Sequence, residues 1–239
     1  MEDEKSHSAS IKLLNDTVWW ITGGRNDRMW FKTTEMMKIE KGNIVEKVNT
    51  TTLPPELPDL KHGHCMARID SNRVFMAGGN SKYGWIYNEL FNNFTKLPDL
   101  RRQRYTPACS TVTINNTIML MVVGGIDNLA INKGYVVEMY NMTDCNKPLM
   151  ACTGKWLYDD GMLEGIGKYI DGAYVTYNDG RGLILTGGHF DIHPDKDLSN
   201  KLVNFNESNN SFIKLQQTMR HRRQGHSAVL IPDGDIECP

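Results

Sequence analysis

A chain of 239 residues, 40% of them apolar, is long enough to bury a substantial core. Its 27 Lys and Arg nearly cancel its 28 Asp and Glu, and a net charge of −1 argues against a whole-molecule electrostatic grip on nucleic acid or an anionic membrane. No run approaches the roughly 18 uninterrupted apolar residues of a membrane-spanning helix, and the acidic start Met1-Glu2-Asp3-Glu4-Lys5 is the opposite of a basic-then-apolar secretion signal.

Taken along the chain, four short apolar runs each close on a pair of glycines. Residues 18–22 precede Gly23-Gly24, residues 74–77 precede Gly78-Gly79, residues 118–123 precede Gly124-Gly125, and residues 183–186 precede Gly187-Gly188. The pairs recur about 50 residues apart, the spacing of a repeat architecture. The runs are rich in Val, Ile and aromatic residues and bounded by turn formers, which predicts strands. No dozen residues carry a helical period, so the predicted class is all-β. A second element precedes most glycine pairs: His7-Ser8-Ala9-Ser10-Ile11, Gly63-His64-Cys65-Met66-Ala67, Gly172-Ala173-Tyr174-Val175 and Gly225-His226-Ser227-Ala228-Val229. Upstream of it runs a proline-and-basic connector, Leu57-Pro58-Asp59-Leu60-Lys61-His62 and Leu97-Pro98-Asp99-Leu100-Arg101-Arg102, with a looser copy ending in Met219-Arg220-His221-Arg222-Arg223.

These residues resemble the kelch repeat across essentially the whole chain. That resemblance implies a β-propeller of four-stranded blades. Strand a starts near His-Ser, strand b ends in Gly-Gly, strands c and d carry an aromatic pair, and the connector leads on. Phe205 with Phe212, Tyr140 with Trp156, and Tyr87 with Phe94 are the candidate pairs, while the first blade has none. The glycines fit a sharp turn near a crowded axis, where a positive φ or a missing Cβ is required. Blades are expected at about 7–62, 63–104, 105–167 and 168–224, with 225–239 starting a fifth. Because His7-Ser8-Ala9 and His226-Ser227-Ala228 duplicate one slot, the expected ring is incomplete, a fragment of a larger propeller cut at both ends, with a four-bladed ring carrying a dangling tail as the alternative.

In such a ring the a–b and c–d turns share one face, and the b–c and d–a connections share the other. The second face would then gather Arg25, Arg28, Arg101, Arg102, Arg104, Arg220, His221, Arg222 and Arg223, with Lys61 and His62 beside them. A basic face on a neutral chain suits an acidic loop or peptide, because arginine recognises carboxylates bidentately. The kelch resemblance implies the same use of this face. Equally, these side chains can tie neighbouring blades together. Asn-X-Ser/Thr acceptors at Asn15, Asn93, Asn115, Asn141, Asn206 and Asn209 fall in or beside predicted a–b or c–d turns; a seventh, Asn49, does not. Glycosylation there implies a secretory route, although Asn and Thr also favour hairpin turns and the strands beside them.

Cys145 and Cys152 sit in an insert of the third c–d hairpin, placed either to staple that loop as a disulfide or to remain thiols. Cys65 and Cys109, in strand a of successive blades, are expected to be buried and reduced. His189, Asp191 and His193 are of metal-ligand type, but their closeness in sequence without a distant fourth ligand favours a polar loop over a metal site. No phosphate-binding Gly-Lys-Ser/Thr loop or Gly-X-Ser-X-Gly elbow is present. The expectation is therefore a non-enzymatic protein-binding scaffold without a cofactor, whose partner carries acidic residues. Two settings stay open: a secreted glycoprotein, or an intracellular ubiquitin-ligase-type adaptor whose other domains are missing. A propeller oxidase is the remote alternative.

Overall fold

A computed structural model describes residues 6–13, 18–40, 43–47, 56–59, 62–126, 137–145, 152–159, 162–163, 172–177, 182–188, 199–222 and 228. Among the described residues, sixteen strands form four antiparallel four-stranded sheets, arranged as a four-bladed β-propeller. Blade 1 holds β1 (Ala9–Lys12), β2 (Val18–Thr22), β3 (Thr34–Glu40) and β4 (Asn43–Lys47). Blade 2 holds β5 (His64–Arg68), β6 (Arg73–Gly78), β7 (Gly84–Asn88) and β8 (Asn93–Lys96). Blade 3 holds β9 (Ala108–Ile114), β10 (Thr117–Val123), β11 (Val137–Asn141) and β12 (Leu157–Asp159). Blade 4 holds β13 (Ala173–Tyr177), β14 (Gly182–Thr186), β15 (Lys201–Asn206) and β16 (Ser211–Thr218). The stretch 225–239, read from sequence as the start of a fifth blade, lies outside the described residues apart from Ala228.

Between the first two strands the register is the same in every blade. The residue just before each glycine pair faces a small residue of the innermost strand: Thr22 faces Ala9, Ala77 faces Cys65, Val123 faces Ala108, and Thr186 faces Ala173. All eight paired glycines have φ between +61° and +107°, a region that side-chain-bearing residues rarely adopt. Gly125 shows why the site is closed to other residues. A Cβ there would lie 2.9 Å from the Tyr105 carbonyl oxygen and 3.1 Å from the Pro107 nitrogen, both backbone atoms.

One position further round, equivalent residues of successive blades link to one another. The Gly63 N–H donates to the His7 carbonyl at 2.8 Å, and the Thr106 N–H donates to the Gly63 carbonyl at 2.8 Å. His7, Gly63 and Thr106 share a left-handed backbone, at φ +57°, +64° and +49°. This ladder satisfies backbone groups that would otherwise be stranded where each chain enters its innermost strand. Across the axis, the Tyr174 hydroxyl of blade 4 donates to the Met66 carbonyl at 3.0 Å and accepts from the Met66 N–H at 3.1 Å in blade 2. Burial raises its pKa to about 12, so it stays a neutral donor.

Among the described residues, three apolar cores lie between neighbouring blades. Trp20, Leu57, Val74, Met76 and Tyr87 fill the space between blades 1 and 2. Phe75, Leu97, Leu100, Leu120 and Tyr140 fill that between blades 2 and 3. Met121, Val123, Leu183, Leu185 and Phe205 fill that between blades 3 and 4. The connector leucines therefore serve as wedges between blades. The c–d aromatic pairs meet as well: Tyr87 and Phe94 are 5.2 Å apart, Tyr140 and Trp156 5.4 Å, and Phe205 and Phe212 5.1 Å. In blade 1 the equivalent register pairs Met37 with Lys47. Trp20 takes over the aromatic packing there, 4.8 Å from Tyr87.

Cys65 and Cys109, expected as reduced thiols, are instead joined by a disulfide between the innermost strands β5 and β9. Those strands are neighbours, and their Cα atoms stand 5.3 Å apart, inside the range a disulfide spans. Cys145 and Cys152 are also joined, across the insert of the third hairpin, with Cα atoms 4.7 Å apart. No helix among the described residues is long and apolar enough to cross a membrane.

Candidate functional site

The face built from b–c and d–a connections is knitted by short bridges: Ser6 with Arg25, Arg25 with Trp30, Ser81 with Arg104, and Tyr105 with Ile126. Between β2 and β3 the chain makes a compact excursion. The Asn26 side-chain carbonyl accepts the N–H groups of Arg28 and Met29, each at 2.9 Å, and the Phe31 N–H donates to the Gly24 carbonyl at 2.8 Å. Asparagine suits this tip because its short side chain can mimic a backbone turn. Buried Phe31 anchors the return, while Arg25, Arg28, Met29 and Trp30 stand in solvent. Met29 is 57% and Trp30 55% exposed, although both are large apolar residues.

Trp30 is nonetheless well supported. Its ring stacks on buried His62 at 5.2 Å, His62 meets Tyr105 edge-on at 5.2 Å, and Tyr105 stacks with His7 at 5.7 Å. Two clefts flank it. One, of about 590 Å³, is lined by Ser6, Arg25, Asn26, Asp27, Arg28 and Met29 together with Trp30. The other, of about 230 Å³, opens between the loops of blades 1 and 2, beside Asp59, His62, Asn80 and Tyr83.

The predicted basic residues divide by role. Arg25 and Arg28 come together on the blade 1 loop. Arg101 is exposed, with its guanidinium 4.2 Å from the Tyr158 ring, and Arg102 is half-buried, with its Nε donating to the Tyr158 hydroxyl at 2.9 Å. Arg220, His221 and Arg222 are exposed just beyond β16, whereas Arg223 lies outside the described residues. Arg104 is the correction. It is 0% exposed, and it donates to the Gly124 carbonyl and to Glu138 Oε1, each at 2.8 Å. Glu138, also fully buried, accepts the Arg101 N–H at 2.7 Å through its other oxygen. Arg104 is thus consumed in tying the connector to blade 3 and cannot meet a partner.

Sequence reasoning missed Met29, Trp30 and Glu138. Met29-Trp30 had a signal: two large apolar residues in a loop that has already left its strand. Glu138 had another, a lone charge inside the apolar run of β11.

The five described acceptor asparagines occupy the opposite face. Asn93 and Asn115 are exposed, at the start of β8 and in the β9–β10 turn; Asn141, Asn206 and Asn209 lie at or beyond the ends of β11 and β15. Asn15 and Asn49 fall outside the described residues, as does the segment with His189, Asp191 and His193. No group of three metal-ligand side chains occurs among the described residues. No known protein-family model matches the chain, and no curated protein matches it.

His64 opens β5 at the b–c and d–a end of the blade and is only 6% exposed, with its Nε2 hydrogen-bonded to Thr22 Oγ1 at 2.6 Å. Desolvation, reinforced by neighbouring His62, lowers its pKa from 6.5 to about 4. The folded state therefore binds this proton less readily than the unfolded state. The neutral-pH stability is complete above 6.5 and drains away as pH falls towards 4. The expected loss is about 3 kcal/mol, read from urea midpoints across that window. His64→Gln should flatten the pH dependence, and an unchanged slope would place the titrating group elsewhere.

Proposed function

We propose that this chain is a kelch-type propeller acting as a non-enzymatic binding scaffold, whose b–c and d–a face takes an acidic segment of a partner protein. One observation carries the reading: the braced Arg25–Trp30 excursion, which holds two cations beside two exposed apolar side chains. Tryptophan and arginine are the residues that most often dominate binding energy, and a prefixed loop loses little entropy on binding. Arg101, Arg220 and Arg222 extend the same positive face and would steer an acidic partner towards it. The positive-φ glycine pairs and the three c–d aromatic contacts support the kelch-type reading. The seven acceptor asparagines and two disulfides favour a secreted glycoprotein over an intracellular adaptor, because such bonds persist in oxidising compartments.

The test is selection from a displayed random-peptide library, followed by titration of the enriched peptides. Enriched sequences should be rich in Asp and Glu and should bind less tightly as salt rises. Trp30→Ala should weaken them by about 2 kcal/mol, roughly thirtyfold, with the double variant Arg25→Ala/Arg28→Ala weaker at low salt but less salt-sensitive. Enrichment without acidic bias, or salt-independent binding, would remove the acidic partner from the reading.

A further inference from the structure

The face opposite the arginines carries its own apolar anomaly. At the tip of the β7–β8 hairpin Leu90 is 66% and Phe91 56% exposed. Neither is there through looseness of the chain. The Asn88 side-chain carbonyl accepts the N–H groups of Leu90 and Phe91 at 3.0 and 3.3 Å, and the Tyr87 hydroxyl donates to Asn92 Oδ1 at 2.9 Å. Asn92 takes a left-handed φ of +48°, and the Glu89 N–H donates to the Asn72 carbonyl at 2.8 Å. A turn this fully tied cannot fold its two apolar side chains inward, so they stay in water unless something covers them.

The next residue but one is Asn93, exposed, at the head of the acceptor sequence Asn93-Phe94-Thr95. The association recurs. Exposed Ile118 follows the acceptor sequence of Asn115, and exposed Ile213 follows that of Asn209, all on hairpins or strand ends of one face. Exposed Met29 and Trp30, on the other face, have no acceptor sequence within the loop that carries them.

We propose that Asn93 carries an N-linked glycan whose first sugar lays its apolar C–H face over Phe91 and Leu90. The proposal rests on the secretory reading above. The covalent step is a glycosyl transfer from a lipid-pyrophosphate-linked oligosaccharide. The sugar C1–O bond to pyrophosphate breaks, a C1–N bond to Asn93 Nδ2 forms, the amide gives up one proton, and the lipid pyrophosphate leaves. The sugar's C–H groups meet the aromatic ring much as aliphatic groups pack in a core, while its hydroxyls stay in water. The β7–β8 tip is then sheathed, whereas Met29 and Trp30, like Leu157 on β12, stay bare.

Glycopeptide mass spectrometry of the protein from its source supplies the first arm. The expected result is glycan on the peptide containing Asn93. Glycan on Asn115, Asn141 or Asn209 with Asn93 bare overturns this inference and leaves the secretory reading standing. All acceptors bare overturns both. A second arm reads the covering itself through the fluorescence of an apolar dye. Asn93→Gln should bind more dye than the parent, and Leu90→Ser/Phe91→Ser in that background should return the signal to the parent level. Equal dye binding by the parent and Asn93→Gln proteins overturns the covering.

Discussion

Replacing Arg104 with methionine is expected to lower the unfolding free energy by about 3–5 kcal/mol, because it leaves the Glu138 carboxylate buried without its cation. Both side chains are 0% exposed, so water cannot take over the lost partner's place. The loss reaches beyond one pair. Arg104 also holds the Gly124 carbonyl at the turn out of β10, and Glu138 also holds the Arg101 N–H on the connector. Adding Glu138→Leu should recover part of the loss by removing the stranded charge. It should not recover all of it, since those two backbone groups still lack their partners. Urea unfolding of the two variants decides the matter. A loss for Arg104→Met below about 1 kcal/mol, the range of exposed pairs, would show that the pair is open to solvent.

Much of this fold was legible because repetition makes local signals reinforce one another. One glycine pair is a turn, but four pairs closing four apolar runs fix the ends of β2, β6, β10 and β14. The connector leucines and aromatic pairs could be read for the same reason. The roles of the connector arginines could not. Arg101, Arg102 and Arg104 are three residues of one type within four positions, and their fates differ because of what the fold places opposite each. Arg104 meets Glu138, Arg102 meets the Tyr158 hydroxyl, and Arg101 lies over the Tyr158 ring facing solvent. Those partners lie 34 to 57 residues away in sequence, and no local pattern announces them. Blade 1 shows a similar limit, since Trp20 substitutes for a missing c–d pair by reaching into the next blade.

Cutting the Cys65–Cys109 bond is expected to cost about 4 kcal/mol, the loop-closure entropy of a 44-residue separation, against about 2.5 kcal/mol for the seven-residue separation of Cys145–Cys152. The difference follows from placement. The first bond joins two blades and restrains a long stretch of unfolded chain, whereas the second closes a loop within one hairpin. The Cys65–Cys109 sulfurs are also the better shielded, with Cys65 1% and Cys109 0% exposed against 9% and 8% for Cys145 and Cys152, so a reductant reaches them only when β5 and β9 separate. Under a mild reductant, Cys145–Cys152 should therefore open first, with the smaller drop in the unfolding midpoint. Cys65–Cys109 should open later, together with a large drop. Cys65→Ala/Cys109→Ala should reproduce that drop without reductant. Differential alkylation, followed by mass spectrometry and unfolding curves, reads both steps. Ready alkylation of Cys65 and Cys109 in freshly isolated, unreduced and denatured protein would instead restore the reading of two buried thiols. It would also remove one of the two supports for the secretory setting on which the sheathed hairpin face rests.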